Sequence, residues 1–344
     1  MTAAIAQPGA AARPRIVRLV AQTWRKLTWR QRCSLFAALI LMAGTAGCET
    51  VVPLLIGNLI SLLAEKSFSP LQALAPLAVI FLVMISGRLL AVGRKQIVET
   101  TATAYERDAR IDSLEKSFLL PLSYYRVREV GAVNERISRG VEGSTKLLKL
   151  AFMDLFPAII LAAAAVAISF QGGVIVGIAA ILVIPVGLWI VSVQIRSQDG
   201  IRTSIRDKKE SIVGLVISVL PALDVVRSYG AEEFIQKSLG DGARGVRAAE
   251  MAHHRAMGFF DSLKSLNEAF FTTAVIILSI LGVASGGAPI GSIMTSYLLF
   301  QKILAPLGEI HRMLDEASEA AKQTHDLFAF QIEPVDDRYT KEQP

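Results

Sequence analysis

The side chains in this 344-residue sequence with the most chemical potential are a few ionisable groups set inside or beside long apolar runs: Glu49, Arg88, Asp154, Asp261, Lys264 and Glu268. A charge exposed to hydrocarbon is costly, so such groups face a cavity or a partner. Glu49 and Asp154 lie deepest, and two readings suit them. In one they line a pathway, with Glu268, and meet a cationic or peptidic cargo or carry protons. In the other they are structural, pairing near a membrane boundary. Arg88 can snorkel its guanidinium toward the interface.

Other constellations carry less. His253, His254, His311 and His325 show no metal-ligand spacing and read as solvated helix positions. Cys33 and Cys48 give neither a metal pattern nor a disulfide framework. No metal ligand set is assigned. A loop that cradles phosphate needs glycines leading into Lys-Ser/Thr. Lys116-Ser117, Lys237-Ser238 and Lys264-Ser265 each lack the glycine before the lysine. There is no Gly-x-Ser-x-Gly elbow and no acid–base pair on neighbouring turns, so no catalytic residue is assigned. Phe259-Phe260 and Phe270-Phe271 read as packing or lipid contacts.

The elements that must position these residues follow from composition. Hydrophobic residues make up 52% of the chain and charged residues only 19%, against about 25% charged in soluble domains. That excludes a disordered chain and argues against an ordinary soluble enzyme. Six apolar stretches, at about 34–62, 71–92, 151–170, 173–195, 267–286 and 290–308, each approach the roughly 20 residues of a spanning helix. The connections at about 64–70, 171–173 and 285–289 are short and nearly uncharged, with only Glu65 and Lys66 among them. The segments at about 93–150 and 196–266 each carry eleven Lys/Arg. Residues 1–32 hold seven arginines and lysines and no acid. The positive-inside rule then puts both termini and both long segments in the cytoplasm. The net charge of +6 is assigned to the membrane surface rather than to nucleic acid. Trp24 to Arg32 is expected as a short interfacial helix.

Both long segments read as helix. From Leu89 to Leu120 there is no proline, charges of both signs alternate, and Ile111, Leu114 and Phe118 recur at helical spacing. Leu120-Pro121-Leu122-Ser123-Tyr124-Tyr125 interrupts the run, and Gly131 is expected to close the turn before a returning helix. The pattern repeats as a helix from about Val191 to Leu220, a break at Pro221, a short run Asp224 to Tyr229, then Gly230. A continuation of about 16 residues projects roughly 24 Å beyond the bilayer. The expected architecture is therefore an all-α membrane protein with six long transmembrane helices and two cytoplasmic helical hairpins. Residues 1–32 form a basic N-terminus, 33–330 the six-helix domain and 331–344 a polar tail or linker start. The apolar and aromatic hairpin tips either cap their own hairpins or dock a partner.

Six spans with two knobbed hairpins resemble the transmembrane domain of ABC exporters of the multidrug, lipid and peptide type, over about 30 to 330. Glu49-Thr50-Val51-Val52-Pro53-Leu54-Leu55-Ile56-Gly57 is similar to the family's acidic-x-x-x-Pro-Leu-Leu-Ile-Gly run. Leu120 to Tyr125, with Gly131 and Arg136-Ile137-Ser138, resembles its first coupling helix and the returning third helix. Val225-Val226-Arg227-Ser228-Tyr229-Gly230-Ala231-Glu232 resembles the second. Ile290-Gly291-Ser292 through Leu304-Ala305-Pro306-Leu307 looks like its sixth helix. The resemblance implies that Leu122, Ser123, Tyr124, Tyr125 and Arg126, and Asp224, Val225, Val226, Arg227, Ser228 and Tyr229, dock into nucleotide-binding domains. It further implies ATP and magnesium on those domains and none on this chain, and a domain-swapped dimer with a second copy or a paralogous subunit. Membrane lipids are the remaining partner, and a bacterial inner membrane the expected location.

Ser285-Gly286-Gly287 resembles part of the family's nucleotide-binding signature but reads as an outer turn. Either the ATPase is a separate chain, or it lies beyond this sequence, or the protein works without one. Arg126, Gly140 and Ser218 stand where the family commonly has acidic residues, and Ala222 replaces a frequent glycine. Three lost carboxylates on one presumed coupling surface would change its electrostatic complementarity. The leading reading is an export permease subunit driven by ATP hydrolysis. A proton-driven peptide-type transporter of the same fold and a non-transporting scaffold are the alternatives.

Overall fold

The computed structural model describes residues 16–64, 70–127, 130–336 and 338, and among them only helices and turns occur, with no strand. Arg13, Arg15, Glu65, Lys66, most of the tail after Asp336 and the side chain of His311 lie outside the described residues. The ten α-helices are α1 (Ile16–Lys26), α2 (Trp29–Leu63), α3 (Pro70–Phe118), α4 (Leu122–Val127), α5 (Val130–Lys149), α6 (Phe156–Ser169), α7 (Val174–Val219), α8 (Leu223–Ser228), α9 (Glu232–Ala284) and α10 (Ser292–Ile332). A π-helical turn, Leu150–Leu155, joins α5 to α6.

Local chemistry sets several boundaries. The interfacial helix expected at Trp24–Arg32 lies earlier, as α1, because Thr28 starts a new helix. The Thr28 hydroxyl accepts from the Gln31 amide at 3.4 Å, and the Gln31 side chain accepts from the Thr28 amide at 2.9 Å. This reciprocal capping box satisfies two orphan donors and makes Trp29 the first residue of α2. At the other kind of boundary, Gly230 (φ +59°) ends α8 and Gly286 (φ +72°) follows α9. The amides of Ala231 and Gly287 reach back to Val226 and Gly282, and those of Gly230 and Gly286 to Arg227 and Val283. Both closures are Schellman motifs that need a left-handed residue. Gly131, expected to close a turn, is instead inside α5.

α3 has 49 residues and α9 has 53, lengths of about 74 and 80 Å at ~1.5 Å per residue, against a hydrocarbon core of about 30 Å. Each must therefore extend well outside a bilayer. Among the described residues, five helices are long and apolar enough to span one: Trp29–Leu63, Leu71–Phe118, Val130–Gly172, Val174–Ser228 and Glu232–Ala284. The sixth expected span lies in α10, which is long enough at 41 residues but mixed in character. Its Leu299, Phe300, Ile303 and Leu304 are buried while Gln301 and Lys302 are only half-buried.

Within the span 33–330 the chain forms two compact units: the residues up to Gly177 together with those from Leu278, and Ile178–Ile277. In the first, Leu35, Ala38 and Met42 of α2, Val98, Ala102 and Tyr105 of α3, Ile137 and Val141 of α5, and Leu327 and Phe330 of α10 form one core. α1 buries Leu19 against Leu147, Ala320, Ala321 and Phe328, and its Trp24 stacks on Phe152 with centroids 6.2 Å apart. Tyr105 is buried beside the Ser144 and Thr23 side chains, where α1, α3 and α5 meet, and burial raises its pKa. α5 and α10 run so close that a Cβ on Gly140 would lie 2.6 Å from the Leu327 Cβ. Gly140 is therefore a buried packing residue of this seam. It does not belong to a coupling surface, because no side chain fits there.

In the second unit, α7 and α9 run antiparallel. The amides of Gln194 and Gln198 donate to the Met257 sulfur at 3.4 and 2.9 Å, and Lys209 pairs with Glu250 at 2.8 Å. Gly242 lets Ile212 approach across the pair.

Candidate functional site

Lys302 organises the charged part of the first unit. Its ammonium bonds the Glu49 carboxylate at 2.9 Å, both side chains being about one-third exposed. Gly87 of α3 abuts Cys48 of α2, which brings the two helices together where Arg88 and Glu49 line one space. Glu49, Arg88 and Lys302 together line a cavity of about 200 Å³ between α2, α3 and α10. Its walls are otherwise almost wholly apolar. From Leu63 to Glu49 is 14 residues, about 21 Å at ~1.5 Å per residue, so the cluster lies well down the apolar part of α2.

Arg94 sits beside this cluster. Its guanidinium donates to the carbonyls of Phe152 and Met153 at 3.3 and 3.2 Å. Those carbonyls belong to the π-helical turn, whose wider ring displaces them from ordinary i→i+4 pairing. Arg94 also lies within electrostatic reach of both Asp154 and Glu49. The structure thus brings together two of the three expected pathway residues, and adds a cation for each. Glu268 lies in the second unit, half-buried on α9, and nearby Asp261 and Lys264 pair with each other at 2.7 Å.

Neither Lys302 nor Arg94 was singled out from the sequence as a site residue. Lys302 was findable, since it is the one charged residue in the 290–308 stretch. Arg94 was not, because its role depends on a π turn without a sequence signature.

The two hairpin tips differ in how they are held. In the first unit, the Tyr125 hydroxyl donates to the Ser117 carbonyl at 2.7 Å and Arg136 donates to the Tyr124 hydroxyl at 3.4 Å. Tyr124 also meets Phe330 edge-on at 6.5 Å. Both tyrosines are half-buried and pack on the hairpin's own core. Leu122, Ser123 and Arg126 remain exposed, Leu122 at 72%. The Asp336 amide, past the end of α10, donates to the Leu119 carbonyl at 2.9 Å.

The second tip buries nothing. Asp224, Val225, Arg227, Ser228 and Tyr229 are all exposed, with Tyr229 at 84%, and Val226 is only partly covered. Ser218 is exposed beside it. α8 is held by its own backbone, by the Ser228 hydroxyl on the Asp224 carbonyl at 2.8 Å, and by the Gly230 closure.

Two long helical hairpins, a charged cavity between apolar helices and the order of the four sequence runs point to one family. The family described as the ABC transporter transmembrane region matches residues 35–307. The chain is an integral, multi-pass membrane protein and belongs to the ABC transporter transmembrane-region family.

Proposed function

We propose that this chain is the permease subunit of an ABC-type exporter, forming half of a translocation pathway whose energy comes from ATP hydrolysis. The ATP and magnesium sit on a nucleotide-binding domain outside the residues of this sequence, and the chain itself catalyses nothing. The observation that carries the reading is the second tip. A self-capping hairpin would turn Val225 and Tyr229 inward, as the first tip turns its tyrosines, yet here they stand in solvent. An apolar and aromatic knob on a rigid helix pair, flanked by Asp224 and Arg227, suits insertion into a cleft.

The separation of Ile178–Ile277 as its own compact unit supports the exchange of this arm with a second copy or a paralogous subunit. Both termini are assigned to the cytoplasm from the basic loops, and the membrane to a bacterial inner membrane. A proton-driven transporter needs a carboxylate that exchanges its proton during the cycle. Lys302 holding Glu49 and Arg94 standing by Asp154 favour fixed charges over proton exchange at either carboxylate.

The test is purification of the chain from its native membrane, followed by protein identification and an ATPase assay. A co-purifying ATPase subunit or domain, with hydrolysis abolished by vanadate and impaired by Tyr229→Ala, is the expected result. Transport that persists without ATP and collapses with a protonophore would reject it.

A further inference from the structure

The cavity between α2, α3 and α10 has a charge balance opposite to the one its carboxylate suggests. Glu49 taken alone invites a cation, but Lys302 already neutralises it, and Arg88 lines the same space. Two cations against one carboxylate leave the cavity with an excess of one positive charge. Around the charges, Val52, Ile56, Val83, Met84 and Leu298 supply apolar wall. Arg94 and Asp154, the adjoining charges, balance each other.

We infer that this cavity binds an amphiphile with an acidic headgroup, its phosphate or carboxylate on Arg88 and Lys302 and its chain along the apolar wall. The guanidinium offers a planar fork of N–H donors matched to such a group, and the Lys302 ammonium keeps donors beyond the one it gives Glu49. Glu49 then acts as a specificity gate: it competes with the headgroup for the Lys302 ammonium and repels multiply anionic ligands. The inference deepens the pathway reading above and rests on it, naming the class of cargo.

The experiment uses the full chain in nanodiscs, without ATP or any partner, and titrates three probes by calorimetry: octyl phosphate, octyltrimethylammonium and inorganic phosphate. Octyl phosphate is expected to bind at least about tenfold more tightly than either of the others. Arg88→Gln should weaken it about tenfold or more, the effect of one lost charge-assisted hydrogen bond. Glu49→Gln should tighten it about fivefold by releasing Lys302, a gain that a misfolded variant cannot produce. Three results would each overturn the inference: equal binding of the cationic amphiphile, equal binding of inorganic phosphate, or weaker octyl phosphate binding by Glu49→Gln. Because neither ATP nor a partner is present, such a failure leaves the ATP-driven reading standing. Loss of ATPase coupling likewise leaves these binding results standing.

Discussion

Gly140 offers a sharp test of the helix packing, because two opposing effects at one residue have calculable signs. Replacing a mid-helix glycine by alanine gains about 1 kcal/mol of helix propensity. At Gly140 the new Cβ would meet the Leu327 Cβ at 2.6 Å and the Gln323 carbonyl oxygen at 3.2 Å. The first contact is with a rigid position on α10, so the helices must separate, and overpacking of this kind costs about 1–3 kcal/mol. The net expectation for Gly140→Ala is destabilisation of up to about 2 kcal/mol. Gly214, exposed five residues before the end of α7 with nothing within 4 Å of its Cβ position, is the control. There only the propensity gain operates, so Gly214→Ala should stabilise by about 1 kcal/mol. Gly140→Asp should be worst of the three, since it drives a carboxylate into a buried seam against a carbonyl oxygen. The assay is thermal unfolding of the purified chain in detergent, followed by circular dichroism. The expected order of midpoints is Gly214→Ala, wild type, Gly140→Ala, Gly140→Asp. A Gly140→Ala midpoint at or above that of wild type would refute the close α5–α10 approach.

Other consequences can be checked with the same material. Tyr229→Ala should leave stability within about 0.5 kcal/mol of wild type, as an exposed residue does, while impairing partner-dependent ATPase activity. Stability and activity lost together would instead make the tip part of the fold. Tyr125→Phe removes the 2.7 Å bond to the Ser117 carbonyl and should cost about 1 kcal/mol, read as faster hydrogen exchange across 117–127. Glu316 is held below the usual carboxylate range by hydrogen bonds from Arg312 first and then Lys146. A carboxyl depressed in the folded state contributes stability above its unfolded pKa of about 4.3, and that contribution is lost as pH falls through the lower folded value. The acid limb of a stability profile should therefore flatten slightly in Glu316→Gln, and an unchanged limb would remove the assignment.

The long helices, the broken tips and the tight turns at 171–173 and 285–289 were legible from residue types. Apolar runs near 20 residues, the proline-free charged stretch from Leu89 to Leu120, and the Pro121 and Pro221 breaks encode local structure, which depends on near neighbours in sequence. Thr28 and Gln31 are equally legible as a capping box, whereas the basic run around them reads as an interfacial helix about two turns later than α1. What packing across the chain decides was out of reach. Gly140 looks like a missing acid until Leu327, 187 residues away, is seen to fill the space a side chain would need. Tyr124 and Tyr125 look fully projecting until Ser117 and Phe330 are seen to hold them against the hairpin's own core. Glu49 looks like a solitary membrane carboxylate until α10 delivers Lys302. Helical periodicity tells which residues share a face of one helix. Only the crossing of α2, α3 and α10 decides which charges share a cavity.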